Sequence, residues 1–464
     1  MRSAGHAAGA GSSPRLVTFA FKFSLCLCRY VRYADFGKNS ARQSDNMGRL
    51  SRCELAFFLI SVGYVLSLYG HLYRLLLICF VLAIVLTGKL YGWRYQDVAA
   101  IRKGVLIVLP LYLYMALSAL WTANPRFGVE YAAYAVMSVM PALSLGILLG
   151  MQKGLERLPN SFALLILTFL AMAVVNFYQG GDAMLFKDGS IRTVFAIFLC
   201  VSTPMLMANW LTGPRFAKWF SAALLLLALY ALRESRSVVL LTIPVVAVML
   251  CVYRRKQFLG YMKFAIPVAI LAAVLPILIH GSEPHLDLGR LTSDTSFDVG
   301  DVPGEFKLPP EKRIDFARRL TTYTALRNLS HAPVFGAGYT SVWQENIQKY
   351  AYSLSAHGYI GNIAEIGIVG MTVFLGIVAY ATILFRRRVL GSFARMWAGE
   401  VPVIETALFF SFAELLVLGF VHQIFESVVF GLLLGLVLGT AWRCDEATLP
   451  AQRRAAPGPD VQHD

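Results

Sequence analysis

A small set of side chains in this sequence could bind an anion or move a proton. Arg236 lies where an apolar stretch begins, a basic run covers 312–319, and Arg192 begins another apolar stretch. His357 immediately precedes a further apolar stretch, which contains Glu365. Guanidinium groups match phosphate oxygens in bidentate geometry and keep their charge, and imidazole exchanges protons near neutral pH. These residue types therefore indicate a phosphate or pyrophosphate site with a proton acceptor.

Each of these residues also has an ordinary structural interpretation. An arginine at a membrane edge is often an interface anchor, and Arg233, Glu234 and Arg236 could form a self-satisfied ion cluster. A basic run is usually a solvated helix face, and a lone histidine is more often structural than catalytic. Glu365 follows His357 by two helical turns on roughly the same face, and a carboxylate at that depth needs a partner or a task.

The composition is that of a polytopic membrane protein. Hydrophobic residues make up 57% of the 464 and charged residues only 15%, against roughly 25% in soluble domains. The net charge of +15 lies mostly in short loops, where orientation signals belong, so we expect no nucleic-acid partner. The longest polar segment contains no cysteine, which predicts neither a disulfide nor a zinc site there.

The apolar runs predict an all-α polytopic membrane protein with about twelve transmembrane helices. The expected spans are 54–70, 72–88, 104–121, 128–149, 160–179, 191–212, 216–233, 236–253, 260–280, 358–385, 402–421 and 424–442. Lysine and arginine are concentrated in alternate loops, which places both termini in the cytoplasm.

This orientation divides the chain into five regions. They are a cytoplasmic basic segment 1–53, helices 1–9 in 54–280, a periplasmic loop domain 281–357, helices 10–12 in 358–442, and a cytoplasmic tail 443–464. Within the loop domain the apolar pattern from Lys312 to Leu329 predicts a helix. The candidate arginines and His357 then face the periplasm, where the site could receive a lipid-borne phosphate.

Four local patterns resemble the O-antigen ligase and O-antigen polymerase superfamily of bacterial envelopes. They are Ser235-Arg236 at the start of a span, Arg319 to Tyr323, the turn His331-Ala332-Pro333-Val334-Phe335-Gly336-Ala337-Gly338, and His357-Gly358-Tyr359 followed by Glu365-Ile366-Gly367 and Gly370. The chain departs from the family at Gly358, where many members have asparagine, and at Tyr323, where tryptophan is usual.

The resemblance implies a GT-C-like glycosyltransferase that moves a glycan from undecaprenyl pyrophosphate to a hydroxyl of the lipid A-core oligosaccharide. It implies no metal, nucleotide sugar or other cofactor. His357 would be the general base, and Arg236 with Arg319 (or Arg318) would hold the pyrophosphate, assisted by Arg192. Glu365, Gly336 and Gly338 would support the site. The partners would be the lipid-linked donor, the lipid A-core acceptor and membrane lipid, at the periplasmic face of the bacterial inner membrane.

Other functions stay open on the sequence alone. A repeat-unit polymerase of the same superfamily shares the motifs and differs in its acceptor, and a protein O-oligosaccharyltransferase is a third member. A twelve-helix transporter belongs to another class, and Glu365, Glu405, Glu414 and Glu426 are acids that it could use for proton coupling. Transporters commonly contain two related halves, and no such repeat is visible here.

Overall fold

The computed structural model describes residues 83–85, 95–151, 155–180, 189–232, 236–255, 310–350 and 358–455. Within these ranges the chain is almost entirely helical and has no strand. The all-α prediction is therefore confirmed for the part of the chain that the structure describes.

Six of the described helices precede the long polar segment. They are α1 (Tyr95–Ser118), α2 (Pro125–Gly150), α3 (Leu158–Gly180), α4 (Gly189–Thr212), α5 (Arg215–Ala231) and α6 (Arg236–Tyr253). Each overlaps a predicted span. Helix α2 shows why such boundaries are readable, because Pro125 occupies its first turn and the Asn124 side chain accepts a hydrogen bond from the backbone N–H of Phe127.

The remaining described helices follow the polar segment. They are α7 (Pro310–His331), α8 (Ser341–Tyr350), α9 (Gly358–Phe385), α10 (Phe393–Trp397), α11 (Val403–Leu418) and α12 (Val428–Ala455). A π-helical turn, Arg386–Leu390, follows α9 directly. Helix α7 contains the predicted helix 312–329, so this part of the predicted loop domain is ordered as a helix.

Four segments of the described chain are long and apolar enough to cross a membrane. They are Tyr95–Trp121, Pro125–Gly150, Phe195–Thr212 and Gly358–Leu390. Leu241–Tyr253 and Val428–Cys444 are apolar but shorter. The predicted spans 54–70 and 260–280, and 72–88 apart from residues 83–85, lie outside the described residues, as does the basic segment 1–53.

Some described helices begin at a different residue from the predicted span; the helix over the span expected at 104–121, for example, begins at Tyr95. The span expected at 424–442 begins at Val428, and residues 419–427 form a non-helical connection from α11. The Ser427 hydroxyl accepts a hydrogen bond from the Val429 backbone N–H, and the Ser427 backbone carbonyl accepts one from the Phe430 N–H. A serine that satisfies first-turn N–H groups starts a helix, and hydropathy alone does not register it. Glu426 therefore lies in the connection and not within a helix.

The chain divides into two compact units, Met1–Gly92 with Gly154–Leu240 and Trp93–Lys153 with Leu241–Asp464. In the first unit, α3 packs on α4 through stacked rings of Phe169 and Phe195. The Asn209 side-chain amide donates to Asn160 at 2.9 Å and to the Ser221 hydroxyl at 3.0 Å, which joins α4 to α3 and α5.

The scaffold of the second unit is the close packing of α2 on α12. Gly146 and Gly150 on α2 face Gly435 and Gly439 on α12. A Cβ at Gly435 would lie 3.0 Å from the Gly146 Cα and 2.9 Å from the Ile147 nitrogen. A four-residue spacing places these glycines on one helix face, and their lack of side chains lets the two backbones approach.

We expect Gly435→Ala to lower the thermal stability of the purified protein in detergent. The added methyl group must separate α2 from α12, at a cost of about 1–3 kcal/mol. Gly376→Ala is the matched control, because nothing lies within 4 Å of a Cβ at this helical position and alanine favours a helix by about 1 kcal/mol. Equal unfolding temperatures for the two variants would contradict the close packing.

Candidate functional site

The candidate site is built around a contact between the turn 333–338 and a break in α9. Gly367 adopts a non-helical conformation inside α9, with φ 67° and ψ −177°. Such a break frees backbone groups that a continuous helix would pair internally. The turn pairs with them through four bonds, from Ala337 N to Ala364 O, Gly338 N to Glu365 O, Ile368 N to Pro333 O, and Val369 N to Val334 O, at 2.9 to 3.1 Å.

Two glycines make this contact possible. Gly336 and Gly367 both have positive φ, +76° and +67°, and each backbone lies against the other. A Cβ at Gly336 would overlap the backbone of Glu365 and Gly367, and a Cβ at Gly367 would overlap that of Val334, Phe335 and Gly336. Only glycine fits both the conformation and the space at these two positions.

Gly338 brings the same turn against the connection between α1 and α2. It also has positive φ, and a Cβ there would lie 2.7 Å from the Ser118 carbonyl oxygen. The Trp121 indole N–H donates to the Gly336 carbonyl at 3.2 Å, and the Tyr114 hydroxyl donates to the Phe335 carbonyl at 3.0 Å. The turn is therefore held from two sides by hydrogen bonds.

Glu365 is buried at the centre of this arrangement. Its relative exposure is 1%, and its carbonyl accepts the Gly338 N–H while its side chain faces the backbone N–H groups of Thr340 and Val342. Its Oε1 has no hydrogen-bond partner among the described residues. The carboxylate that the sequence singled out therefore lies where the turn, α8 and α9 meet.

A second carboxylate approaches from the connection 419–427. The buried Tyr339 donates its hydroxyl hydrogen to Glu426 Oε1, and the buried Tyr112 hydroxyl donates to the adjacent Phe425 carbonyl. Burial raises the pKa of the Glu426 carboxyl to about 7, while the hydrogen bond from Tyr339 acts in the opposite direction. Burial and the Glu426 charge keep the pKa of Tyr339 well above its ordinary value.

The same connection fixes the beginning of α9. Gly358 has φ +62°, and a Cβ there would overlap the Phe420 backbone. The Tyr359 hydroxyl donates to the Leu416 carbonyl at 2.6 Å, and its ring meets Phe420 edge-on at 4.9 Å between centroids. His357 itself lies outside the described residues. The next residue, Gly358, has a backbone conformation and a close contact with Phe420 that favour glycine.

Helix α7 packs onto the site through its C-terminal half. Ala325 contacts Val342 and Ala364 in a buried cluster, and Asn346 bridges Thr321 and Thr324. An ion pair joins Arg327 to Glu345, which also pairs with Lys349 at 2.7 Å. These contacts fix the register of α7 against α8 and α9.

The predicted arginines are distributed over both compact units. Arg318 and Arg319 lie on α7, Arg236 is the first residue of α6, and Arg192 lies near the start of α4. Their side chains lie outside the described residues. The convergence of these arginines with His357 therefore stays a prediction.

Sequence reasoning did not assign Tyr339 or Tyr112 to the site, and it treated Glu426 only as a mid-span acid of a transporter. A carboxylate in an apolar environment was the available signal for Glu426. Nothing local to Tyr339 indicated its partner, because the two residues are 87 positions apart.

Among the described residues, no group of three or more histidine, cysteine, aspartate or glutamate side chains could hold a metal ion.

Comparisons with known proteins give two partial likenesses. No protein-family profile matches the chain. Protein bride of sevenless from Drosophila virilis is 30% identical over 201 residues, and the same protein from Drosophila melanogaster is 29% identical over 195 residues. Each match covers 36% of this chain and 22% of the relative, so the chain spans about a fifth of the length of the curated relatives it matches. Matches of this extent do not show a family.

We expect Gly336→Ala and Gly367→Ala each to destabilise the protein. Positive φ costs a side-chain-bearing residue about 1–2 kcal/mol, and the overlap with the facing backbone adds to this cost. Because both changes break one contact, the double variant should lose less stability than the sum of the single losses, as measured by chemical unfolding. Fully additive losses would show that the glycines act separately.

The raised pKa of Glu426 predicts a pH-dependent stability. In the unfolded chain this carboxyl ionises near 4.5, and in the folded protein near 7, so the folded state loses stability as pH rises between these values and the loss is complete above about 7. Glu426→Gln does not ionise, and its amide oxygen still accepts the Tyr339 hydroxyl. Its advantage in melting temperature over the parent should therefore be smallest below pH 4.5 and largest above pH 7.

Glu130→Gln is the control for this pH series, because Glu130 is exposed and ion-paired with Arg126 on the surface of α2. Its melting temperature should follow the parent's pH profile. A Glu426→Gln profile parallel to that of the parent would show that Glu426 ionises normally.

Proposed function

We propose that this protein is a membrane glycosyltransferase of the O-antigen ligase type. It transfers a glycan from undecaprenyl pyrophosphate to a hydroxyl of the lipid A-core oligosaccharide, at the periplasmic face of the bacterial inner membrane. The proposal includes the predicted topology of about twelve spans, of which the described chain supplies four by length and composition.

The observation that carries the proposal is the mutual contact of three motif-bearing segments. The arginine helix α7, the turn 333–338 and the beginning of α9 were selected from the sequence separately. In one compact unit they pack on each other through backbone hydrogen bonds and the Ala325, Val342 and Ala364 cluster. Segments that share a reaction must meet, and these do.

The chemistry assigned to these residues is a single displacement. His357 takes the proton from the acceptor hydroxyl, whose oxygen attacks the anomeric carbon of the glycan. The bond from that carbon to the pyrophosphate oxygen breaks, and undecaprenyl pyrophosphate leaves with the electron pair. Arg236 and Arg319 (or Arg318) bind the pyrophosphate and stabilise its growing charge, with Arg192 in support. Attack opposite the leaving group inverts the anomeric carbon.

The buried acids fit a supporting role in this scheme. The Glu365 carboxylate faces the backbone N–H groups of Thr340 and Val342 just after the turn, and Glu426 lies in the connection whose Phe420 contacts the residue after His357. Rigid contacts of this kind keep a catalytic group in position. Correct positioning can account for a large part of a rate enhancement. Glu365 is therefore a positioning residue in this proposal.

We expect His357→Ala to lower the rate of glycan transfer by about 10²–10⁴-fold, because the acceptor hydroxyl loses its general base. The assay combines purified protein, lipid-linked glycan and rough lipopolysaccharide, with a chelator and without nucleotide sugar. His331→Ala is the matched control, since His331 is exposed and, among the described residues, its side chain contacts the Arg327 carbonyl and Ser330 at the end of its own helix. It should transfer at the parent rate.

The same assay separates the alternatives. Glycan joined only to a second lipid-linked repeat indicates the polymerase, and glycan joined to protein indicates the oligosaccharyltransferase. A transporter gives no transfer product and a proton flux in proteoliposomes. If the His357→Ala variant transferred glycan at the parent rate, His357 would not be the general base.

A further inference from the structure

A groove of about 560 Å³ opens between α1 and α9, in a part of the second unit that the proposed transfer does not use. Six of its lining residues matter here, and they are Tyr95, Arg102, Lys103, Leu106 and Ile107 on α1 and Tyr380 on α9. No acidic side chain is among the residues that line it. The groove therefore combines positive charge, tyrosine and apolar surface.

The charge and the apolar surface are arranged in order along the groove. Leu106 follows Arg102 by four residues and Ile107 follows Lys103 by four, so each basic side chain lies about 6 Å along α1 from an apolar one on the same face. Tyr95, two turns before Arg102, extends the polar end. An amphiphile bound along α1 would meet its charged group and its hydrocarbon in this order.

Both basic side chains are available at the polar end. Arg102 and Lys103 are exposed. The Lys103 ammonium lies 5.0 Å from the centre of the Trp442 ring, and a contact of this kind holds it beside the groove without removing its charge. Because both residues line the groove, a guanidinium and an ammonium group can each reach a phosphate bound there.

The two walls of the groove belong to helices that are apolar and long enough to span a membrane, Tyr95–Trp121 and Gly358–Leu390. Tyrosine is typical of the membrane interface, where a phospholipid head group lies. We propose that this groove binds an anionic phospholipid, with its phosphate between Arg102 and Lys103 and an acyl chain along Leu106 and Ile107.

The predicted topology gives the leaflet. Tyr380 is followed by Arg386, Arg387 and Arg388, and the charge pattern places both these arginines and Arg102 on the cytoplasmic side. In that leaflet, basic side chains next to a span attract anionic lipids, and each positive charge raises the affinity for the lipid about fivefold. The site is remote in topology from the proposed transfer site, and each can exist without the other.

Lipid titration of the purified full chain tests the proposal. Native mass spectrometry in detergent measures binding of phosphatidylglycerol, of phosphatidylcholine with matched acyl chains, and of inorganic phosphate. We expect phosphatidylglycerol to bind at least tenfold more tightly than phosphatidylcholine and inorganic phosphate to give no bound adduct. The double variant Arg102→Gln/Lys103→Gln should weaken phosphatidylglycerol binding about 25-fold and leave phosphatidylcholine unchanged.

Three further variants keep the outcome decisive. Arg102→Lys/Lys103→Arg retains both charges and should retain the preference for phosphatidylglycerol. Leu106→Asn should weaken both lipids, because it removes apolar contact with the chain. Arg126→Gln removes an exposed base that does not line the groove and should bind as the parent does. If the double glutamine variant loses its fold on gel filtration, the single variants replace it, each with about a fivefold loss.

Equal binding of the two lipids would overturn the proposal, as would an unchanged preference in the glutamine variants. A phosphate adduct lost in the same variants would assign the pair to a soluble anion and also overturn it. Glycan transfer is measured in parallel, and its presence or absence does not affect these outcomes.

Discussion

The candidate site depends on a contact between two backbones. Helix α9 breaks at Gly367, and the turn 333–338 pairs with the backbone groups that the break releases. This pairing stabilises both elements, because unpaired N–H and carbonyl groups in an apolar environment are costly. The facing glycines, Gly336 and Gly367, are the condition for this pairing, since any side chain at either position would occupy the other's backbone.

Around this contact the remaining elements are fixed in turn. Tyr339, directly after the turn, donates a hydrogen bond to Glu426 in the connection before α12, and Phe420 of that connection contacts Gly358 and Tyr359 at the start of α9. Helices α7 and α8 close the opposite side through Ala325 and Val342. A chain of direct contacts therefore runs from α7 to Gly358, the residue after His357.

The scaffold beneath the site follows the physics of membranes. In lipid, helices gain little from hiding apolar side chains from each other, so close backbone approach at small residues supplies the association. The glycines of α2 and α12 provide it, and α1 packs on α2 beside them. The outer face of α1 then stays available for the groove that contains Arg102 and Lys103.

The sequence by itself predicted the long apolar helices and the helix at 312–329, but not α8, α10 or the break of α9 at Gly367. Apolar runs, Pro125, and the glycines of the turn act over a few residues, so their effect is readable from spacing. The start of α12 was misplaced, because Ser427 and not hydropathy begins it. Only the tertiary structure decided that Gly336 faces Gly367 and that Tyr339 reaches Glu426. Such pairs join residues that are far apart in the chain, and their partners are set by the packing of whole helices, which no local pattern records.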